Sequence, residues 1–433
     1  MAWSTMPCPH TLRGRIPMSF KWHPDQPPPP IQPHSKAKLK VLRSYLRAYF
    51  DRLNVNPNRE EFKLDLIDGF AGGGTFLDKD SVVPGTPLIM LEEAAEAEKR
   101  LNKGRIKKLN IDCKFYFVDK SKAHIDHLTK VLAERGYRSD NSSIVVRNGP
   151  FESQIESIIQ SIRQRQPRAG RAIFLLDQTG YSQVELALVS RIFGELPAAE
   201  VILTFATDAL VNLLSDTPQF AKALAPLQLA ESIEELIQHR DEGRGRALVQ
   251  RTLRDHVRTV TGAFYDTPFF IRPTSSRRAL WFLHLSRHPT ARDVMIQRHW
   301  EIQNTFEHYG SGDFNMLGWD ALKDSATLPL FKFGEIDGER LREQLLESLP
   351  RELFGLVSEQ PVTVDALRHS LANRTAARFS DLDEIVLKLF EEKEFEIQGP
   401  DGRARSRTLR RLKPTDRIAL PPTLLLPGLS RRS

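Results

Sequence analysis

The sequence predicts an α/β protein with a Rossmann-like sheet. The sheet is parallel, is covered by helices on both faces and finishes in an antiparallel hairpin; a small helical domain follows it. Three observations carry this expectation. Short β-branched or aromatic runs alternate with longer stretches of helical periodicity. Four of the first five runs end near Asp or Asn, and a glycine cluster follows the first. Past about residue 335 the alternation stops and helical patterns take over.

In chain order, residues 1–34 are Pro-rich and aperiodic, with the run Pro27-Pro28-Pro29-Pro30, and read as a disordered arm. Leu39, Leu42, Leu46, Tyr49 and Phe50 then recur at helical spacing. The five strand-like runs are Leu64–Ile67, Phe115–Val118, Ile144–Val146, Ile173–Leu176 and Val201–Phe205. Alternation with helices requires right-handed crossovers and a parallel sheet. Residues 216–262 read as inserted helices, and Phe269–Ile271 with Ala279–Leu285 as the closing antiparallel pair. Thus 35–330 forms one domain. Over 335–420 come helices at Leu341–Leu349, Thr363–Leu371 and Ser380–Lys393, with Thr363 and Ser380 as caps. Gly399-Pro400-Asp401-Gly402 then turns a hairpin, and three helices followed by a hairpin is the winged-helix order. Residues 421–433 form a basic tail.

Composition narrows the class. The chain has 433 residues, 40% hydrophobic and 27% charged, which excludes a disordered chain or a fibre. Two cysteines, Cys8 and Cys113, exclude a disulfide framework and suit a reducing cytoplasm. No apolar run reaches membrane-spanning length, so no membrane partner is expected. The net charge of +7 is concentrated: residues 399–433 hold nine basic and two acidic residues, an excess equal to that of the whole chain. A localised basic end points to a polyanion, most often nucleic acid; a solvated tail kept for solubility is the alternative.

The chemistry-bearing residues lie at strand ends. Asp68-Gly69-Phe70-Ala71-Gly72-Gly73-Gly74 ends the first run, where glycines let backbone N–H groups approach a ligand. No Gly-Lys-Ser or Gly-Lys-Thr follows, which disfavours a phosphate-binding P-loop. Asp119 ends the second run and can bind the hydroxyls of a ribose, or simply cap the strand. Its 51-residue distance from Asp68 implies an insertion near residues 75–110. Asn148 and Phe151 end the third; they can hold an adenine edge and stack on it, or form a turn with a buried aromatic. Asp177 and Tyr181 follow the fourth, an acceptor and an aromatic suited to a target amino group. His284, His288, His299 and His308 match no metal spacing, so no metal is expected. The final helix opens with acidic residues, so in the last domain Arg403, Arg405 and Arg407 on one face of the hairpin, with Arg410 and Arg411, are the candidates for touching nucleic acid.

Asp68-Gly69-Phe70-Ala71-Gly72-Gly73-Gly74 followed by Gly85-Thr86-Pro87-Leu88 resembles the three-Cys-motif partner proteins (TcmP). The helix from His34 to Phe50, Asp177-Gln178-Thr179-Gly180-Tyr181, Phe282–Met295 and His299-Trp300 look like other parts of that family. The resemblance implies a class I methyltransferase sheet, S-adenosylmethionine as cofactor, a partner protein and an attached winged helix-turn-helix. On the matching positions it implies that Asp68, Gly72 and Gly74 form the cofactor loop, that Asp119 holds the ribose, and that Asp177 and Tyr181 form the catalytic site; Phe70, within the same loop, is a further cofactor-binding candidate. Gln178-Thr179 replaces the family's Pro-containing turn, which puts the target atom in question. The functional expectation is a methyltransferase acting on nucleic acid. The alternative is a non-catalytic nucleic-acid- or partner-binding component on the same fold.

Overall fold

The computed structural model describes residues 20–137, 143–177, 184–205, 246–271, 280–302, 306–307 and 334–421. Its centre is an eight-stranded sheet. The elements that build it are α1 (Pro33–Leu53), β1 (Glu61–Asp68), β2 (Thr75–Asp78), β3 (Ser81–Pro84), α2 (Thr86–Leu101), β4 (Asn110–Asp119) and α3 (Lys122–Glu134). There follow β5 (Ile144–Asn148), α4 (Phe151–Arg165), β6 (Ala172–Leu176), α5 (Leu186–Glu195), β7 (Ala199–Phe205) and α6 (Arg246–Thr261). Then come β8 (Tyr265–Ile271), β9 (Leu280–Ser286), α7 (Pro289–Ile302) and β10 (Phe306–Glu307). The spatial order is β5-β4-β1-β6-β7-β9-β8-β10. The five strands from β5 to β7 are mutually parallel, and β9 runs antiparallel to both β7 and β8.

Alternation along the strands builds the two cores. Leu64 and Leu66, with Ile173 and Leu175, face a layer formed by α1, α2, α3 and α7. Ile67, with Phe174 and Leu176, faces α4, α5 and α6. A strand buried on both faces reads as a continuous apolar run, which is why these strands are visible in the sequence. The long interval between Asp68 and Asp119 holds the β2–β3 hairpin and the four turns of α2. Thr86 and Pro87 are the first two helical residues of α2, with Gly85 in the capping position. Of the expected inserted helices, 246–261 is helical and 216–245 lies outside the described residues, as does the loop 272–279.

The arm departs from expectation. From Phe20 the chain packs: Trp22 is 6% exposed, Pro30 bridges to Leu77, and the Ile31 N–H donates to the Leu77 carbonyl at 2.8 Å. The Pro run keeps this segment extended along β2, and two aromatic rings anchor it. Phe20 and Trp22 both pack edge-on against Phe76, at 5.0 and 5.2 Å between centroids.

The C-terminal unit comprises α8 (Glu335–Val357), β11 (Val362–Thr363), α9 (Val364–Leu371), α10 (Phe379–Glu391), β12 (Glu396–Gln398) and β13 (Arg417–Ala419). Its three strands order as β11-β13-β12, all antiparallel. Thr363 caps α9 by accepting from the Ala366 N–H at 3.1 Å. The cap of α10 is displaced from Ser380: Arg378 holds that position, and Asp381 accepts from its N–H at 2.8 Å.

The linker between α9 and α10 is bound into the sheet domain. The fully buried Arg292 of α7 donates from its guanidinium to the carbonyls of Ala377, at 2.7 Å, and Thr375. Burial lowers its pKa to about 10. The Trp300 indole N–H donates to the Ala376 carbonyl at 3.0 Å, and Asp293 accepts from the Phe379 N–H at 2.8 Å. Arg254 of α6 joins Asp266 to the Asn373 carbonyl. Orphan carbonyls at this depth would be costly, so these cations are structural.

Candidate functional site

In the parallel sheet, every βα connection leaves from one edge, and ligands collect where the connections diverge to opposite sides. That point lies between β1 and β6, the ends of which carry Asp68 and Asp177. The next strand outward, β4, ends in Asp119.

Asp68 is 1% exposed, and its Oδ1 accepts from the Phe70 N–H at 3.1 Å. Burial drives its carboxyl well above the usual carboxylate range; Asp177 and Asp119 push the same way, while the Phe70 N–H and Lys38 oppose. Beyond it the loop turns through Gly72 and Gly74, with φ of +58° and +80°, a region where a Cβ is strained. The Gly72 N–H donates to Asp119 Oδ2 at 2.9 Å. Asp119 Oδ1 accepts from the Ser121 N–H at 2.8 Å and lies 3.1 Å from His124 Nδ1. Burial alone would raise the Asp119 pKa, but these bonds, His124 foremost, hold it below the ordinary value. A carboxylate has about four lone-pair positions, so about one remains for an external donor.

The other expected residues divide. Asn148 Nδ2 donates to the carbonyls of Asp119, at 3.0 Å, and Lys120, at 3.2 Å, tying two strand ends together. Phe151 is 2% exposed, and a Cβ on Gly69 would lie 2.9 Å from its ring. The Phe151 ring packs in the core against Gly69, the arrangement of the alternative, a turn with a buried aromatic. Phe70 is half-buried against the same core. Tyr181 and Gln178–Gly180 lie outside the described residues.

Two contributors come from upstream of β1. Trp22 covers one side of the glycine loop: a Cβ on Gly73 would lie 2.3 Å from the indole, and one on Gly72 2.8 Å. Its indole N–H donates to the Thr75 carbonyl at 2.7 Å, and its ring meets His124 edge-on at 4.9 Å. On α1, Lys38 Nζ donates to both oxygens of Asp177, at 2.6 and 2.5 Å. One helical turn earlier, burial lowers the His34 pKa; Lys38 acts with it and Asp177 against it. The acceptor expected to hold a target amino group thus already faces an ammonium. Lys38 was one cation in a basic amphipathic helix, and nothing local in the sequence marks it. Its helical phase relative to the sheet is the missing information.

The wing arginines are placed differently from the period-of-two expectation. After Gln398 the chain makes a single bridge to Ala404, and the strand paired with β12 is β13. Arg405 turns inward to the buried Asp416 at 2.6 Å. Arg407 lies over the Phe390 ring at 4.1 Å and pairs with Glu396. Arg410 pairs with Glu391 at 2.5 Å, and the solvated Arg403 lies 3.6 Å from Asp401. Arg411 is exposed and has no ion pair among the described residues. Of the histidines, His284 is a core imidazole 2.8 Å from Glu200. Among the described residues no three His, Cys, Asp or Glu side chains gather as a metal site, and no helix is long and apolar enough to cross a membrane.

One strand decides the fold class. An antiparallel β9 inserted between β7 and β8, after five parallel strands, separates this sheet from the simple dinucleotide-binding order. The fold is that of class I methyltransferases. No protein-family model matches the chain, and no curated protein matches it. Among solved structures it is similar to protein LPL1258 from Legionella pneumophila, at 10% identity and a TM-score of 0.32, covering 59% of this chain and 85% of that one. It is also similar to a SAM-dependent methyltransferase from Agrobacterium tumefaciens, at 14% identity and a TM-score of 0.29, covering 57% of this chain and 61% of that one. For the bifunctional kinase-methyltransferase WbdD the values are 11%, 0.30, 58% and 39%. The chain spans less than two thirds of the length of the last two.

Proposed function

We propose that this chain is an S-adenosylmethionine-dependent methyltransferase acting on nucleic acid with a partner protein, and a relative of the three-Cys-motif partner proteins. The observation that carries the cofactor is the row Asp119, Asp68, Asp177 along one sheet edge, with the Asp68–Gly74 loop between the first two. Its chemistry fits the group: the strand-end carboxyl groups can accept from a ligand ammonium, and Asp119 retains room for a ribose hydroxyl. When bound, S-adenosylmethionine supplies an electrophilic methyl. The residues supply orientation and exclusion of water. Asp68 and the loop hold the amino-acid end, Asp119 the ribose, and Asp177 the methyl acceptor.

The nucleic-acid part rests on the basic chain end. Arg403, Arg410, Arg411, Lys413 and Arg417 are exposed there, none of them ion-paired to a buried carboxylate among the described residues, and residues 422–433 lie outside the described residues. In the C-terminal unit, a winged helix in this reading, α10 presents Ser380, Glu384, Lys388 and Glu391 outward, and its first turn is tied to α7. Such a helix does not enter a groove. The unit acts as a fixed platform for the wing and a partner.

The test is calorimetric titration of the cofactor into the full chain and into Asp68→Asn, with melting curves for both. Micromolar binding by the wild type, lost in a folded Asp68→Asn, supports the proposal. No binding by the wild type refutes it. A second reading, a binding component without catalysis, is favoured by one observation: Asp177 is already paired with Lys38. Cofactor binding without methyl transfer to nucleic acid would select it.

A further inference from the structure

We propose that Lys38 is part of the methyl-acceptor site and that the acceptor is an oxygen, the ribose hydroxyl of an RNA, rather than a base nitrogen. This rests on the methyltransferase reading above and deepens it.

An amino-group target needs an acceptor, and the acceptor at the end of β6 is Asp177. Lys38 donates to both of its oxygens, and its side chain is 12% exposed against 33% for Asp177, so the carboxylate is the more open of the two. An ammonium carries three N–H donors and no acceptor. Two point at Asp177, which leaves one for a ligand. A group bound there must offer a lone pair while giving up a proton to the neighbouring carboxylate. A hydroxyl does both; an exocyclic amino group meets a like-oriented donor. One further feature agrees: the buried Asp68 also feels Lys38, which places that cation within electrostatic reach of both carboxylates beside the switch point.

The roles follow. Lys38 holds the acceptor oxygen by N–H donation and offsets the negative charge that develops on it. Asp177 takes the hydroxyl proton as the O–CH3 bond forms. The S–CH3 bond breaks with its electron pair left on sulfur, so the sulfonium ends as a neutral thioether and the proton on Asp177 passes to water. In a nucleic acid the hydroxyl that meets this need is the ribose 2′-OH, which DNA lacks.

The experiment has two arms on the full chain. The first compares Lys38→Met and Lys38→Arg with wild type in calorimetric binding of S-adenosylmethionine and of its thioether product. Loss of a cation from the crevice favours the cationic ligand. The affinity ratio of sulfonium to thioether should therefore rise about tenfold in Lys38→Met and stay put in Lys38→Arg. An unchanged ratio in a folded Lys38→Met, checked by its melting curve, overturns the assignment of Lys38. In the second arm, labelled cofactor is incubated with total RNA, DNA and protein, and the product is digested. Label on a ribose oxygen is expected; label on a base nitrogen, on DNA or on protein overturns the oxygen assignment. If the wild type binds neither ligand, the methyltransferase reading itself fails, and this inference with it.

Discussion

Lys38 and Asp177 lie 139 positions apart in the chain, yet the Lys38 ammonium sits 2.6 and 2.5 Å from the two Asp177 oxygens, where α1 crosses the carboxyl edge of the sheet. The pair joins the helix that precedes the sheet to the strand end that carries the candidate chemistry. Asp177 is a third exposed, so solvent screens the attraction, and it contributes about 1 kcal/mol or less to stability. Lys38→Ala and Asp177→Asn should each shift the melting temperature by only a few degrees. A double-mutant cycle should give a coupling of about 0.5 kcal/mol. A coupling of several kcal/mol would make the pair a structural clasp.

Asp68 should be a stability cost held for function. Its folded pKa is raised, so between the unfolded value, about 3.9, and the folded one the native state holds the extra proton. Stability therefore falls as pH rises through that window. Asp68→Asn removes the penalty, and its melting temperature at pH 7 should exceed that of the wild type, with the difference shrinking at pH 4. Asp119 has the opposite sign: its lowered pKa adds stability above about pH 3.9 that is lost as pH falls through the folded value. Asp119→Asn should be destabilised at pH 7.

Trp22 should behave as core, although it belongs to a segment with the composition of a linker. Trp22→Ala removes an indole packed on Gly72 and Gly73 and a bond to Thr75, and should cost about 3–4 kcal/mol in denaturant melts. Trp22→Phe keeps most of the packing and should cost about 1 kcal/mol. If Trp22→Ala melts like wild type, the segment does not hold the loop.

The wing should divide by partner. Arg405→Ala leaves the buried Asp416 carboxylate without its cation and should cost about 3 kcal/mol. Arg403→Ala and Arg411→Ala should leave the melt unchanged. If the wing touches phosphate, each should lower the salt slope of polyanion binding by about one, read from log Kd against log salt. Unchanged slopes would move the nucleic-acid contact to the tail or elsewhere.

The sheet was legible because its strands are buried on both faces and leave runs no helix pattern explains. Leu64–Ile67 and Ile173–Leu176 are such runs, and both are strands. The strand-end acids were legible for the same reason, since strand ends map to one edge once the strands are parallel. Less was legible where the answer lies in tertiary contact. Phe151 has the spacing of a stacking residue, but its ring packs in the core against Gly69. Arg403, Arg405 and Arg407 alternate in sequence, but one bridge residue is too little strand to hold a period of two, and Asp416 and Phe390 each draw an arginine inward. Lys38 and Trp22 were invisible as site residues because helix phase and the path of a Pro-rich segment are set by packing.

Every functional role proposed above depends on S-adenosylmethionine binding at the Asp68–Gly74 loop. Titration of the cofactor into the purified full chain, beside a folded Asp68→Asn variant, tests it most directly. One site per chain with micromolar affinity is expected in the wild type, and at least a tenfold loss in the variant. Absence of a heat signal from a properly folded wild type, or equal affinity in both proteins, would contradict it.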